Sequence, residues 1–327
     1  MMQMQKAGRA LGLLVFALTL VAGAGGASAQ TYPSRTIRIV VPLPPGSNGD
    51  LMPRILAQQL SARLGQPVVI ENRPGAANNL GAEIVFRAEP DGYTLLATPQ
   101  GPLVISPSFF PKLAFDPGQF VPITIMAKLP YIRVVNPTVP VTTFAEFIAY
   151  TKANPNKLNY ASPSTGSSPH LAMEMLKLAA GLQMTHVPYS GFAPALNDLM
   201  AGHVDVMFDN LGNSLPLVQE GKLKGLAVTS DKRTPELPNV PAIAETYPEV
   251  QATSWFAIVA PPKTPAAIAD KLSQAFAEIL RDPEIQRRWR EMTLTPVGGT
   301  PEEIAAFFRV ETERWRKVIV SGNIKPD

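Results

Sequence analysis

The three histidines of this chain, His170, His186 and His203, stand sixteen and seventeen residues apart, and there is no cysteine. Transition-metal sites need imidazole and thiolate ligands at short, repeated spacings, and this pattern supplies none, so the imidazoles read as structural or solvated. Gly166-Ser167-Ser168 invites comparison with a serine nucleophile. The nucleophile elbow, however, needs a glycine where His170 stands, and a histidine two residues beyond Ser168 does not easily turn back onto it. No Walker A sequence occurs, and the dense glycines lie at positions 23–26, near the amino terminus. Two stretches of small polar residues remain: Pro44-Pro45-Gly46-Ser47-Asn48-Gly49-Asp50 and Ser162-Pro163-Ser164-Thr165-Gly166-Ser167-Ser168-Pro169. Each ends where a helix is predicted to begin. Free N–H groups and about half a positive charge collect there, and small side chains let an anion approach, so each is a candidate carboxylate cradle. Ordinary turn and capping chemistry uses the same residues.

The elements around these stretches alternate. Thr36 to Val41 is β-branched and stops at Pro42, which predicts a buried strand. Met52, Ile55, Leu56, Leu60 and Leu64 then recur at helical spacing, with Asp50 as the expected N-cap, Pro53 in the first turn and Gly65 at the end. A strand at 68–71, a helix at 77–88 and a strand at 93–98 continue the pattern. Residues 121–135 are apolar and extended, with Pro122 and Pro130, and read as a crossover into a second alternating unit. That unit opens with a helix whose capping box runs from Thr143 to Glu146, and has further helices at 170–180, 193–201 and 214–220 and strands at 158–161, 185–189, 204–209 and 223–229. Ser254 to Ala260 is extended again and returns the chain to the first unit, where three helices finish it. The last has Thr300 as cap, Pro301 at its first position, Glu303 completing a capping box, and an apolar stripe through Ile304, Phe308 and Trp315 on which Glu311 is a misfit. Strand and helix in alternation predict mainly parallel sheets covered by helices.

At the amino terminus Lys6 and Arg9 precede an apolar run from Leu11 to Ala22 and the small residues Ala27-Ser28-Ala29. This order is that of a signal peptide cleaved after Ala29, which places the mature chain in the periplasm. The 29 basic and 26 acidic residues become 27 and 26 once Lys6 and Arg9 are removed, so the mature net charge is near +1. That balance gives no electrostatic case for nucleic acid or an anionic membrane. The 34 prolines punctuate apolar segments of regular period and form no tract, which argues against disorder. A mature chain of roughly 300 residues exceeds what one core usually serves, so two lobes are expected. We assign residues 30–130 and 253–327 to lobe 1 and 131–252 to lobe 2.

The sequence also resembles the Bug solute receptors of tripartite tricarboxylate transporters. The resemblance runs through Tyr32-Pro33-Ser34, Val41-Pro42, Pro44-Pro45-Gly46, Glu71-Asn72-Arg73-Pro74-Gly75, Pro90-Asp91-Gly92-Tyr93-Thr94-Leu95 and Leu158-Asn159-Tyr160-Ala161-Ser162. It continues through His186-Val187-Pro188-Tyr189, Ala193-Pro194-Ala195-Leu196, Phe208-Asp209-Asn210 and Leu226-Ala227-Val228-Thr229-Ser230. It implies an α/β fold of the type II periplasmic-binding-protein class, a Venus flytrap of two lobes joined by two crossovers, with a ligand carboxylate gripped between the two small-residue loops. The ligand-binding residues it implies are Leu43, Gly46, Ser47, Asn48, Asp50, Gln100, Ser164, Thr165, Gly166, Ser167, Ser168, Tyr189 and Asp209. Three places depart from the family pattern: Leu43 stands where an aromatic is usual, Ser47-Asn48-Gly49 where a glycine-rich run is usual, and Gln100 where a small hydroxyl residue is usual. A carboxylate beside an anionic ligand should repel it, so Asp209 is expected to hold loop N–H groups or to accept from a ligand hydroxyl or ammonium.

The expectation is therefore a non-catalytic, exported receptor that carries a small organic carboxylate to the membrane subunits of a transporter. It needs no cofactor and no metal, binds no nucleic acid and works as a monomer. The rival readings are an exported enzyme acting on a small acid and a ligand sensor serving a signalling partner.

Overall fold

The computed structural model describes residues 32–326, without the side chain of Asn48. The expected signal peptide and its cleavage site lie outside the described residues. The described residues 32–35 belong to one unit and the chain from Thr36 onward forms another, and all that follows concerns the second.

Two sheets organise it. The first has six strands in the order β11-β4-β10-β3-β1-β2, formed by β1 (Ile37–Val41), β2 (Val68–Asn72), β3 (Thr94–Pro99), β4 (Val121–Leu129), β10 (Ser254–Ala260) and β11 (Thr295–Gly298). The second has five in the order β7-β6-β8-β5-β9, formed by β5 (Tyr131–Val135), β6 (Asn159–Ser162), β7 (Thr185–Pro188), β8 (Val206–Asn210) and β9 (Lys224–Val228). The expected alternation is present, but the sheets are mixed and not mainly parallel. β1 pairs in parallel with β2 and β3, and β6 with β7 and β8, whereas β10 and β5 are antiparallel to both of their neighbours. The cause is the crossovers themselves. Most of their β-branched and apolar residues lie buried inside a sheet. The chain passes from the first sheet to the second at Pro130, which has no N–H to give a ladder and so separates β4 from β5.

The helices follow from local chemistry. In chain order they are α1 (Asn48–Leu64), α2 (Asn79–Phe86), α3 (Ser106–Phe109), α4 (Phe144–Ala153), α5 (Ser168–Ala180), α6 (Phe192–Ala201), α7 (Leu211–Gln219), α8 (Ala266–Arg281), α9 (Pro283–Glu291) and α10 (Pro301–Ser321). α1 begins earlier than expected: Ser47 is its N-cap, Asp50 lies in its first turn, and Pro53 falls inside the helix. Both expected capping boxes form, Thr143 with Glu146 and Thr300 with Glu303. The helix expected at 77–88 is shorter, because Ala77 and Asn78 take positive φ in a 3-10 turn before α2. The misfit Glu311 is buried on α10 and accepts a hydrogen bond from Trp255 Nε1 at 3.1 Å while pairing with Arg314, which ties the last helix to the crossover strand β10. Arg133 of β5 is buried between the rings of Phe147 and Phe208, at 4.5 and 4.4 Å, and burial lowers its pKa to about 9.

Candidate functional site

Parallel strands that lead into helices place all the helix N-termini at one edge of a sheet, and here the edges of the two sheets face one another. Between them lies a cavity of about 820 Å³, lined from the first sheet's side by Leu43, Ser47, Gly49, Phe109 and Phe256 and from the second's by residues 163–169, Tyr189 to Phe192, Asn210 and Asn213. Among the described residues no Lys, Arg, His, Asp or Glu lines it. Any positive potential there has to come from backbone, and helices α1, α2, α5, α6 and α7 begin at its wall.

The two loops singled out in the sequence share one local design. Gly46 and Gly166 both take the left-handed conformation, φ 83° and 74°, which turns the chain into the helix. Next come the N-caps Ser47 and Ser167, at φ/ψ of −71°/158° and −66°/156°. Neither side chain caps its helix. Each hydroxyl instead donates backwards, Ser47 Oγ to the Pro44 carbonyl at 3.0 Å and Ser167 Oγ to the Ser164 carbonyl at 2.6 Å. First-turn N–H groups of both helices are thereby left for a ligand. In each loop the glycine N–H donates to a side chain four residues on: Gly46 N to Asp50 Oδ2 at 2.8 Å, and Gly166 N to His170 Nδ1 at 2.9 Å.

The supporting side chains differ in charge. Burial favours a protonated Asp50, but hydrogen bonds from Arg54, Asn72 and Gly46 outweigh that and hold its carboxyl below the usual range. Burial pushes His170 down to about 3, helped by His186 and Lys177, so it is a neutral imidazole with an acceptor nitrogen toward Gly166. His170 stacks on His186 with centroids 3.9 Å apart, and His186 on Tyr160 at 4.8 Å. Ser162 Oγ, which donates to the Ser164 carbonyl at 2.9 Å, also lies 2.8 Å from His186 Nε2. The second loop thus rests on a column of rings.

Glycine is required at two of these positions for reasons of space as well. A Cβ on Gly166 would lie 2.5 Å from the Phe109 ring, which covers this loop from the opposite lobe, and one on Gly49 would lie 2.2 Å from Leu43 and 2.6 Å from Phe256. Tyr131, just past the Pro130 crossing, hydrogen-bonds to Ser168 and Ser254, and burial raises its pKa.

Of the residues expected from the sequence, Leu43, Gly46, Ser47, Ser164, Thr165, Gly166, Ser167, Ser168 and Tyr189 line the cavity. Thr165 Oγ1 has no hydrogen-bond partner among the described residues. Tyr189 presents its ring, since its hydroxyl donates to Asp198 at 2.7 Å. Asp50, Gln100 and Asp209 are buried and are not part of the lining. Asp50 acts as the loop support described above. Gln100 sits between the lining residues Pro99 and Gly101 with neither amide atom bonded. Asp209 accepts from Ser214 Oγ at 2.6 Å and Asn213 Nδ2 at 3.2 Å, and burial raises its pKa to about 6. The side chain of Asn48 lies outside the described residues. Sequence reasoning missed Phe109, Phe192, Asn213 and Phe256. The helix starts after β7 and β8 carried the same small-residue signal at Ser190-Gly191 and Asn210 that singled out the two loops.

The model of the tripartite tricarboxylate transporter family receptor matches residues 52–324. The chain belongs to that receptor family. It is 35% identical over 295 residues to the protein BugT of Bordetella pertussis, covering 89% of this chain and 90% of that one. Among solved structures, Rpa4515 of R. palustris with adipate is 35% identical with a TM-score of 0.80, covering 90% of this chain and all of the other. MatC of Rhodopseudomonas palustris with bound malate is 31% identical with a TM-score of 0.76, covering 88% and 100%. The matched region takes in the second loop whole and begins at Met52, inside α1, so the first loop lies before it.

Proposed function

We propose that the mature receptor, released into the periplasm by cleavage after Ala29, captures a small organic carboxylate between lobes 30–130 with 253–327 and 131–252, and delivers it to the membrane subunits of a tripartite transporter without chemical change. The observation that carries this reading is a cavity lined, among the described residues, by no ionised side chain, with several uncapped helix starts in its wall. Such a wall favours an anion through aligned N–H groups and has no carboxylate to balance a cation. It also offers no nucleophile with a general base beside it, because the nearest imidazole, His170, spends its acceptor nitrogen on Gly166. Adipate and malate in the related structures support the carboxylate class.

The test is a thermal-shift screen of linear and aromatic acids beside their neutral amides, on protein recovered from the periplasm with its mass measured. An acid at a hundred times its Kd should add about 2.7 kcal/mol of apparent stability. Equal shifts from acid and amide contradict the reading. Small-angle scattering should show a smaller radius of gyration with the best acid, as the lobes close on it.

A further inference from the structure

Asn213 stands in the first turn of α7 with its side chain in the cavity wall, and behind it lies Asp209 at the end of β8. The buried carboxylate takes three donors: Asn213 Nδ2 at 3.2 Å, Ser214 Oγ at 2.6 Å and the Asn210 backbone N–H. An ionised carboxylate only accepts, so it binds the NH₂ end of the Asn213 amide and leaves the carbonyl oxygen for the cavity. Among the described residues that oxygen receives no protein donor. The polar lining otherwise consists of N–H groups and rotatable hydroxyls, which suit the carboxylate itself, and of the amides of Asn78 and Asn210, whose side chains no hydrogen bond orients among the described residues. Asn213 is therefore the lining amide whose acceptor oxygen a buried carboxylate holds in a fixed direction.

We propose that Asn213, oriented by Asp209, is a specificity-determining residue that selects carboxylates bearing a hydroxyl group. This rests on the reading of the cavity as a carboxylate site. A hydroxyl meets the amide oxygen as a neutral donor, whereas an ammonium would enter a cavity with no carboxylate on its wall to balance it. Asp209 acts through Asn213 as a positioning residue. Its three hydrogen bonds also account for a carboxylate tolerated close to an anion site: its lone pairs are spent away from the ligand.

The experiment is calorimetric titration with matched pairs, succinate against malate and adipate against 2- and 3-hydroxyadipate, on the wild type, Asn213→Leu and Asp209→Asn. The wild type should bind one hydroxylated member about tenfold more tightly than its parent acid, the worth of one hydrogen bond. In both variants that ratio should fall toward one. Damage to the fold lowers both affinities and leaves the ratio standing, so the ratio carries the test. Asn213 is exposed, so Asn213→Leu remains informative should Asp209→Asn fail to fold. A wild-type ratio of one or less overturns the proposal, as does a ratio that persists in Asn213→Leu. Binding of none of these acids, with or without hydroxyl, overturns the carboxylate reading beneath it instead.

Discussion

Helix starts far from the cavity and helix starts at its wall treat the same backbone groups in opposite ways. Thr143 and Thr300 each accept from the N–H three residues on, and Glu146 and Glu303 return to the cap N–H, so these ends are closed. Ser47 and Ser167 have the same extended backbone and a hydroxyl of the same kind, yet they point it backwards and leave the end open. A side-chain cap contributes about 1 kcal/mol, so each open end forgoes stability that a bound anion can restore. The difference separates the helices that only hold the fold together from those that also hold a ligand.

The first way to break the comparison is to make the two open loops unequal. Gly46 and Gly166 share a left-handed φ, but a Cβ on Gly46 meets nothing within 4 Å, whereas one on Gly166 meets Phe109. Gly166→Ala should cost about 3 kcal/mol, combining overpacking with the left-handed penalty, and Gly46→Ala only about 1 kcal/mol. Urea denaturation of both variants measures this, and equal losses would show that Phe109 yields freely.

Acid sharpens the contrast between the loop supports. His170 has its folded pKa near 3, below the ordinary histidine value, so the unfolded chain takes up the proton first as pH falls. Its contribution is present above pH about 6.5 and is lost downward toward pH 3, at about 1.4 kcal/mol per pH unit. Relative to a His170→Gln variant, the wild type should lose about 2 kcal/mol between pH 7 and pH 5. Asp209, with a folded pKa near 6, acts in the opposite sense between its ordinary value and pH 6, and the variant comparison removes that contribution from the difference. A difference that does not change with pH means that His170 is not buried as a neutral ring.

Charge at an open end should act on binding. Ser47→Glu sets a negative charge beside the ligand carboxylate, on the order of 4 kcal/mol at about 4 Å and an effective dielectric near 20. Half of that lowers affinity by more than tenfold. Ser47→Gln separates bulk from charge, and equal losses in the two variants would mean steric exclusion. The smallest effect belongs to the closed ends, where Thr300→Ala should cost about 1 kcal/mol in melting and leave the Kd for the same acid unchanged.

Much of this was legible in the sequence because it is local. Periodicity, β-branched runs and S/T-x-x-E boxes fix elements through neighbours a few residues away, and the two glycine–serine loops announced themselves by composition. The antiparallel placement of β5 and β10 was not legible, since which strands flank a crossover is decided by packing between residues as distant as Ile132 and Val228 or Phe256 and Pro99. The misreading of Asp50 as an N-cap has a similar cause. An aspartate in the first turn and an aspartate cap look alike in sequence, and only the bonds from Asn72 and Arg54 draw its carboxylate away from the helix end. Asn213 stayed hidden because its meaning comes from the carboxylate four residues before it, across a strand-to-helix turn.

A crystal structure of the mature chain with the best-binding acid tests the central claim most directly. Carboxylate oxygens should lie within about 3.2 Å, directly or through one water, of first-turn N–H groups in both α1 and α5, with the Ser47 and Ser167 hydroxyls still turned back. A carboxylate held instead by a lysine or arginine side chain, or touching only one of the two helix starts, would contradict it.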